Sequence, residues 1–379
     1  MNIVLEKFFA FVKKEIVFFV SFILAMVSCI FVNPSMEYFD YIDWNVLFLL
    51  FSFMAVVVGL RESGVFDLCG KFLCNCASNV RMLCVVLVFL CFGFSMFITN
   101  DVALLTFVPF TIMILLKCNQ QKNILFVVVL QTIAANLGSM LTPMGNPQNL
   151  FLFSVMDINV IDFCLILVPY TIVSGIVLYL LCFKISKDEI VMEQSQNDSS
   201  KCGISWKVFV YIGLFIFCIL AVLKIVKPGI LALVVAVVIA FIHFKLLLKV
   251  DYILILTFVC FFIFSGNIQN ITVVKNFLQS VVSNNEFIFG FLSSQIISNV
   301  PATLLLYPFS SEAEELLLGV NVGGLGTIVA SLASLIAYKL YASSKNANTG
   351  DFFKDFTLLN LLFIAVLFAT KFILGMNYF

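Results

Sequence analysis

Two short polar sequences stand inside apolar surroundings: Thr99, Asn100 and Asp101, and Ser298, Asn299 and Val300. In each copy a Pro-Phe pair, Pro109-Phe110 or Pro308-Phe309, begins nine residues after the Asn. Each copy precedes an apolar stretch broken by small and polar residues: Ala134, Asn136, Gly138 and Ser139 in the first, Gly319, Asn321, Gly323 and Gly324 in the second. Asn suits a chain bend in a low-dielectric setting because its amide both donates and accepts. A helix that stops mid-membrane offers N-terminal amides to anions and C-terminal carbonyls to cations. Asp101 is the carboxylate placed at a tip, able to ligate Na+ or carry a proton. Polar interruptions repeated at matching places in two halves point to the binding site of a secondary transporter.

The first broken stretch, residues 137–147, holds Gly138, Pro143, Gly145 and Pro147, with Ser139, Thr142 and Asn146 among them. No continuous helix tolerates that density of breakers. The second reads Gly323, Gly324, Leu325, Gly326, Thr327. The expectation is that Asn100 and Asn136 bound one polar locus and Asn299 and Asn321 the other, with substrate between them. Asn100, Asp101 and Asn299 are the candidate Na+ ligands.

The elements that position these residues must be membrane helices. Of 379 residues, 63% are hydrophobic, 45 are Phe and only 11% are charged, and the mean hydropathy is +1.15; such a chain is solvated mostly by lipid. Acidic and basic residues balance at 21 each, so bulk charge makes no case for nucleic acid. The 12 cysteines are scattered, and the set Cys69, Cys74 and Cys76 lacks the paired spacing of a zinc site. No Ser–His or Cys–His pair, zinc-protease signature or phosphate loop is present, which argues against an enzyme. His243 and Arg61-Glu62 are read as interfacial side chains.

With about 20 apolar residues per crossing, crossings fall near 16–32, 44–60, 124–150, 161–183, 206–223, 229–247, 251–267, 318–341 and 356–374. The regions 82–117 and 287–309 fold around the Asn motifs as re-entrant hairpins, and 62–79 and 270–282 read as helices in the interface plane. The expected fold is therefore an all-α polytopic membrane protein of about nine crossings and two hairpins, built as a first inverted repeat (1–185), a cytoplasmic linker (186–203) and a second inverted repeat (204–379). Ile16 to Val32 is expected to be a span and not a cleaved leader. Counting Lys and Arg by side puts the N-terminus in the cytoplasm and the C-terminus outside, with Lys224, Lys227, Lys275 and Lys371 on the wrong side.

At Thr99-Asn100-Asp101, Asn136-Leu137-Gly138, Gly145-Asn146-Pro147, Ser298-Asn299-Val300-Pro301-Ala302-Thr303 and Gly323-Gly324-Leu325-Gly326-Thr327 the chain resembles the ion transporter superfamily. That superfamily includes arsenite-pump permeases, NhaD-type sodium/proton antiporters, citrate transporters and divalent anion/sodium symporters. The resemblance implies two inverted repeats, a dimerising scaffold and a transport domain that moves as an elevator, with Asn100 and Asn299 at tips facing substrate and coupling ions. The dicarboxylate branch carries Ser-Asn-Thr at both tips, from which Asp101 and Val300 depart. The expected function is ion-coupled secondary transport of a small anion, citrate or a related carboxylate, with sodium/proton antiport or arsenite/antimonite permeation as the alternative. Expected partners are the anion, a coupling Na+ or H+, membrane lipid and a second copy of the chain, with no other cofactor. The expected location is a bacterial-type inner (plasma) membrane.

Overall fold

The computed structural model describes residues 16–65, 77–190, 206–344 and 347–376. The helices are α1 (Ile16–Phe31), α2 (Tyr38–Tyr41), α3 (Trp44–Glu62), α4 (Val80–Phe94), α5 (Asn100–Lys117), α6 (Gln121–Ser139), α7 (Pro147–Val155) and α8 (Val160–Cys182). They continue as α9 (Trp206–Val222), α10 (Pro228–His243), α11 (Tyr252–Asn270), α12 (Thr272–Val282), α13 (Glu286–Ile297), α14 (Asn299–Leu306), α15 (Ala313–Gly323), α16 (Leu332–Ala342) and α17 (Thr349–Met376). Among the described residues seven helical stretches are long and apolar enough to cross a membrane: α3, α5, α6, α8, Pro228–Lys249, α11 and Thr349–Gly375. Shorter apolar helices lie at α1, α4, α9, α13 and α16. The chain is an all-α polytopic membrane protein, as its composition requires. Cys69, Cys74 and Cys76, most of the segment 62–79 and most of the expected linker lie outside the described residues.

An outer group forms where α1 packs on α11 and where α3 packs on α9 and α10; an inner group joins α4, α5 and α6 to α16, and α13 to α14 and α15. Every residue from Val127 to Ser139 of α6 and from Leu316 to Gly323 of α15 is buried. A helix apolar on all sides is stable only when neighbours surround it, and these two form the centre. By contrast α17 leaves Leu358, Leu361, Leu362 and Phe372 exposed, as a lipid-facing helix must.

Asp43 and Asp251 open α3 and α11 as N-caps, accepting from Asn45 N and Val46 N at 3.0 and 3.1 Å and from Leu254 N at 3.0 Å. Both helices run past a glycine near their ends, Gly59 and Gly266, to Glu62 and Asn270. Those glycines admit aromatic rings: a Cβ on Gly59 would stand 2.7 Å from the Tyr211 ring, and one on Gly266 2.4 Å from the Tyr41 ring. The region 82–117, expected to fold around its Asn motif, forms α4 and α5. The second of these runs as one helix of 18 residues, because Pro109 interrupts the hydrogen bonding without ending the helix.

The ion pairs sort by end. Lys122–Asp188 and Lys249–Glu62, at 3.3 and 2.7 Å, join residues that the sequence reading puts on the cytoplasmic side, and Glu62 pairs with Lys249 rather than with its neighbour Arg61. Lys224 meets Asp157 at 3.1 Å, and Lys371 meets Glu315 while lying over the Phe287 ring. Two of the lysines that break the side-counting rule therefore each have a carboxylate partner, which offsets their charge.

Close packing of α15 on α13 depends on Gly319, where a Cβ would lie 2.4 Å from the Phe287 carbonyl oxygen. Gly319→Ala is expected to destabilise the protein by about 1–3 kcal/mol, read as a fall in melting temperature in detergent. Gly213→Ala, in α9 with nothing within 4 Å, is expected to leave it unchanged or raise it, since Ala is the better helix former.

Candidate functional site

Each hairpin tip is a helix start built on one Asn, and the two tips are made alike. The backbone N–H of Asn100 donates to Gly145 O at 3.1 Å, and that of Asn299 donates to Ala330 O at 3.0 Å. Each Asn Oδ1 then accepts the next backbone amide, Asp101 N or Val300 N, at 3.0 Å. An N-terminal helical amide has no partner within its own helix. Here the unwound chain of the neighbouring broken helix supplies one.

Those broken helices are the second component. Between α6 and α7 the chain unwinds over residues 140–146, and between α15 and α16 over 324–331. In the first break Asn149 Nδ2 donates to Met140 O and Thr142 O at 2.9 and 3.1 Å, and Asn146 caps α7 through Asn149 N at 2.9 Å. Thr142 Oγ1 donates to Met96 O, tying the break to the end of α4. In the second, Gln295 Nε2 donates to Gly323 O and Leu325 O at 2.8 Å each, while its Oε1 accepts Thr327 N at 3.0 Å. Gly326, at φ +106°, adopts the backbone region that glycine enters without steric cost, and its N–H reaches Asn360 Oδ1 at 3.1 Å. One side-chain amide thus braces each break.

The two breaks are cross-linked. Asn136 of α6 accepts from Asn100 Nδ2 at 2.9 Å and from Ser331 Oγ at 3.0 Å, and donates to Ser334 Oγ at 3.2 Å and Gly324 O at 3.4 Å. Asn321 of α15 donates to Asn149 Oδ1 at 2.7 Å and accepts from Asn146 Nδ2 at 3.2 Å. Asn299 stays beside its own break, where a Cβ on Gly324 would stand 2.9 Å from its Nδ2. The sequence reading pairs Asn299 with Asn321 and leaves substrate space between two loci. The structure joins the loci by direct hydrogen bonds, because each central Asn reaches across to the other half's unwound chain.

Of the expected site residues, Thr99, Asp101 and Asn146 line a cavity of about 210 Å³ between the outer and inner groups. Its wall also holds Arg61, Met144, Lys249 and Asp251. Asn100, Asn136, Ser139, Ser298, Asn299 and Asn321 are buried in the network. Gly138 and Gly323 serve close approach: a Cβ on Gly138 would lie 2.1 Å from Phe92 O, and one on Gly323 2.7 Å from the Ser294 side chain. Thr327 is exposed on the far side of the second break. Sequence reasoning missed Asn149, Gln295, Ser331 and Ser334. Asn149 stood three residues after a motif already marked; a lone Gln within an apolar helix, such as Gln295, carried no second signal.

Among the described residues no cluster of three or more His, Cys, Asp or Glu is arranged to hold a metal ion. The site is built of amides, hydroxyls and backbone dipoles, with Asp101 as the charged side chain at a tip.

Two helix starts headed by Asn and set against two broken helices, in a chain with seven helical stretches able to cross a membrane among its described residues, fit a polytopic membrane transporter. The chain belongs to the citrate transporter family, whose sequence model matches residues 3–333. It is 32% identical over 339 residues to an uncharacterized transporter of Methanocaldococcus jannaschii, covering 89% of this chain and 92% of that one. It is 30% identical over 304 residues to the inner membrane protein YbiR of Escherichia coli, covering 79% of this chain and 80% of that one. A silicon efflux transporter of Oryza sativa is 34% identical over 144 residues, 37% of this chain and 29% of that one.

Gln295→Leu removes the brace of the second break and leaves Gly323 O and Leu325 O without that donor. The expected cost is about 2–4 kcal/mol, read as a lowered melting temperature together with faster amide exchange over residues 324–331. Asn149→Leu should do the same at 140–146.

Proposed function

We propose that this chain is an ion-coupled secondary transporter of a small anion, citrate or a related carboxylate. It works by elevator-type alternating access between inverted repeats at 1–185 and 204–379, joined by the linker 186–203. It acts as a homodimer in a bacterial-type inner (plasma) membrane, with its N-terminus in the cytoplasm and its C-terminus outside. The coupling ion is Na+ or H+, with no further cofactor, and Asn100, Asp101 and Asn299 are the candidate ion ligands.

The observation that carries this reading is the crossed network: Asn136 bonds to Gly324 O in the second break, and Asn321 to the Asn146 and Asn149 side chains at the first, so the two breaks meet in one place. Helix N-termini gathered there favour an anion, and freed carbonyls favour a cation. Membership in the citrate transporter family supports a carboxylate cargo. The inner membrane location of the Escherichia coli relative supports the membrane assignment.

A second reading, cation/proton antiport or permeation of a neutral metalloid oxyacid such as arsenite, is favoured by one feature. Asp101, half-buried and hydrogen-bonded by the Thr99 side chain, faces the cavity, where its ionised form would repel an anion. The silicon efflux activity named for the Oryza sativa relative fits the same reading.

The deciding measurement is charge movement in proteoliposomes holding the purified protein, with jumps of citrate, succinate, arsenite and sulfate, each with and without a Na+ or proton gradient. Citrate-triggered current that disappears in Asn100→Ala and Asn299→Ala is the expected result, with unaltered melting as the control for folding. Current on a Na+ or pH jump alone moves the assignment to the antiporter. Asp101→Asn is expected to change the dependence on Na+ or pH by about tenfold; an unchanged ion dependence removes Asp101 from coupling.

A further inference from the structure

The Pro-Phe pair that follows each Asn motif is not used by the binding network, and it leaves a specific defect. A proline has no N–H, so the carbonyl four residues before it loses its helical donor. For Pro109 that carbonyl belongs to Leu105, and for Pro308 it belongs to Leu304. Pro109 lies inside α5 and Pro308 in the 3-10 turn Tyr307–Phe309 that continues α14, and both leucines line cavities at the boundary with the outer group. Leu105 lines the cavity of about 210 Å³ with Arg61. Leu304 and Pro308 line another of about 370 Å³ with Gln269.

At the first defect the vacancy is filled from the other group: Arg61 Nη2, near the end of α3, donates to Leu105 O at 3.4 Å. Arg61 has no carboxylate partner among the described residues, whereas Lys249 in the same cavity is taken by Glu62 at 2.7 Å. At the second defect Gln269, near the end of α11, lines the same cavity as Leu304 and Pro308, and among the described residues no hydrogen bond joins it to the Leu304 carbonyl. The two donors hold similar places in the two halves. Arg61 lies two residues beyond Gly59 and Gln269 three beyond Gly266, on helices that each begin with an Asp N-cap and each receive an aromatic ring at that glycine.

We infer that Arg61 is a positioning residue for transport: it clasps the proline-freed Leu105 carbonyl and holds α5 against α3 in this conformation, and Gln269 clasps Leu304 when the inner group is displaced to its alternative position. The inference rests on the alternating-access reading above. Inverted repeats exchange conformations when access alternates, so a contact made in one half and open in the other is the one that must change hands. The donors suit a reversible clasp, since a single bond from a partly solvated side chain contributes little net energy and breaks without leaving a buried charge.

The test is hydrogen–deuterium exchange of the full purified chain, read by mass over α5 and α14, with melting temperature recorded alongside. Arg61→Met, which removes every donor, is expected to raise uptake in the first half of α5 about threefold and to lower it in α14, while Arg61→Lys, which keeps a donor, stays near the parent. Pro109→Ala returns a helical donor to Leu105 without touching any charge, and should shift exchange in the same direction to a smaller extent. Gln269→Leu should shift it the opposite way. Unchanged α5 and α14 patterns in folded Arg61→Met and Pro109→Ala proteins overturn the clasp. Should Arg61→Met exchange faster everywhere, it has lost its fold and the Pro109→Ala pattern decides. Exchange reads conformation with no substrate present, so a chain that moves no anion can still show the clasp, and an active transporter can still lack it.

Discussion

Wherever a helix breaks at membrane depth, its freed amides and carbonyls have to find partners inside the protein, because lipid offers none. The centre of this structure is organised by that requirement. Two breaks, at 140–146 and 324–331, release a set of carbonyls, and two hairpin tips release a set of amides. The arrangement lets each deficit satisfy the other: the tip amides of Asn100 and Asn299 go to Gly145 O and Ala330 O. What remains is taken by side-chain amides, which offer donor and acceptor on one short stem. Asn and Gln are favoured here over Lys or Asp because they satisfy backbone groups without bringing a charge out of water.

Close approach is the second condition, and it explains the glycines. Gly138 on α6 faces the carbonyl of Phe92 at the end of α4, and Gly319 and Gly323 on α15 face Phe287 and Ser294 on α13. In both halves the helix that leads into a break lies against the first arm of its hairpin with no side chain between. A bilayer supplies no strong hydrophobic force between helices, so contact area and interhelical hydrogen bonds have to hold them, and both improve when backbones approach. These glycines also set the tip at the right distance from the break for the Asn bonds to form.

The sequence revealed the duplicated Asn tips and the breaker-rich stretches because Asn, Gly and Pro are conspicuous in a chain that is 63% hydrophobic. It revealed the all-helical membrane class for the same reason. It concealed which Asn meets which. The bonds from Asn136 to Gly324 O and from Asn321 to Asn149 span 188 and 172 residues, and no local pattern encodes a contact between halves. It concealed Gln295 as well, since a single amide in an apolar helix reads the same whether it braces a break or bonds one turn back. The way α5 passes Pro109 is not legible in sequence either, since the carbonyl that the proline frees takes its donor from α3, at Arg61. The lysines that broke the side-counting rule were informative only with their partners, Asp157 and Glu315, in place.

The location of these bonds bears on how such a structure could move. The hydrogen bonds of Asn100, Asn136, Asn146, Asn149 and Asn321 tie α7 and the helices of the inner group together, so relative motion of the tips and breaks would break several directional bonds at once. The boundary with the outer group is of another kind. It is lined by side chains such as Phe53, Met54, Phe151 and Phe262 and holds two cavities, of about 210 and 370 Å³. Contact between apolar side chains is non-directional and depends mainly on the area removed from water or lipid. One such surface can slide over another at little cost when the area lost at one end is regained at the other. Motion of the inner group as a unit is therefore the displacement that would keep the network intact, and that is what the proposed elevator-type movement requires.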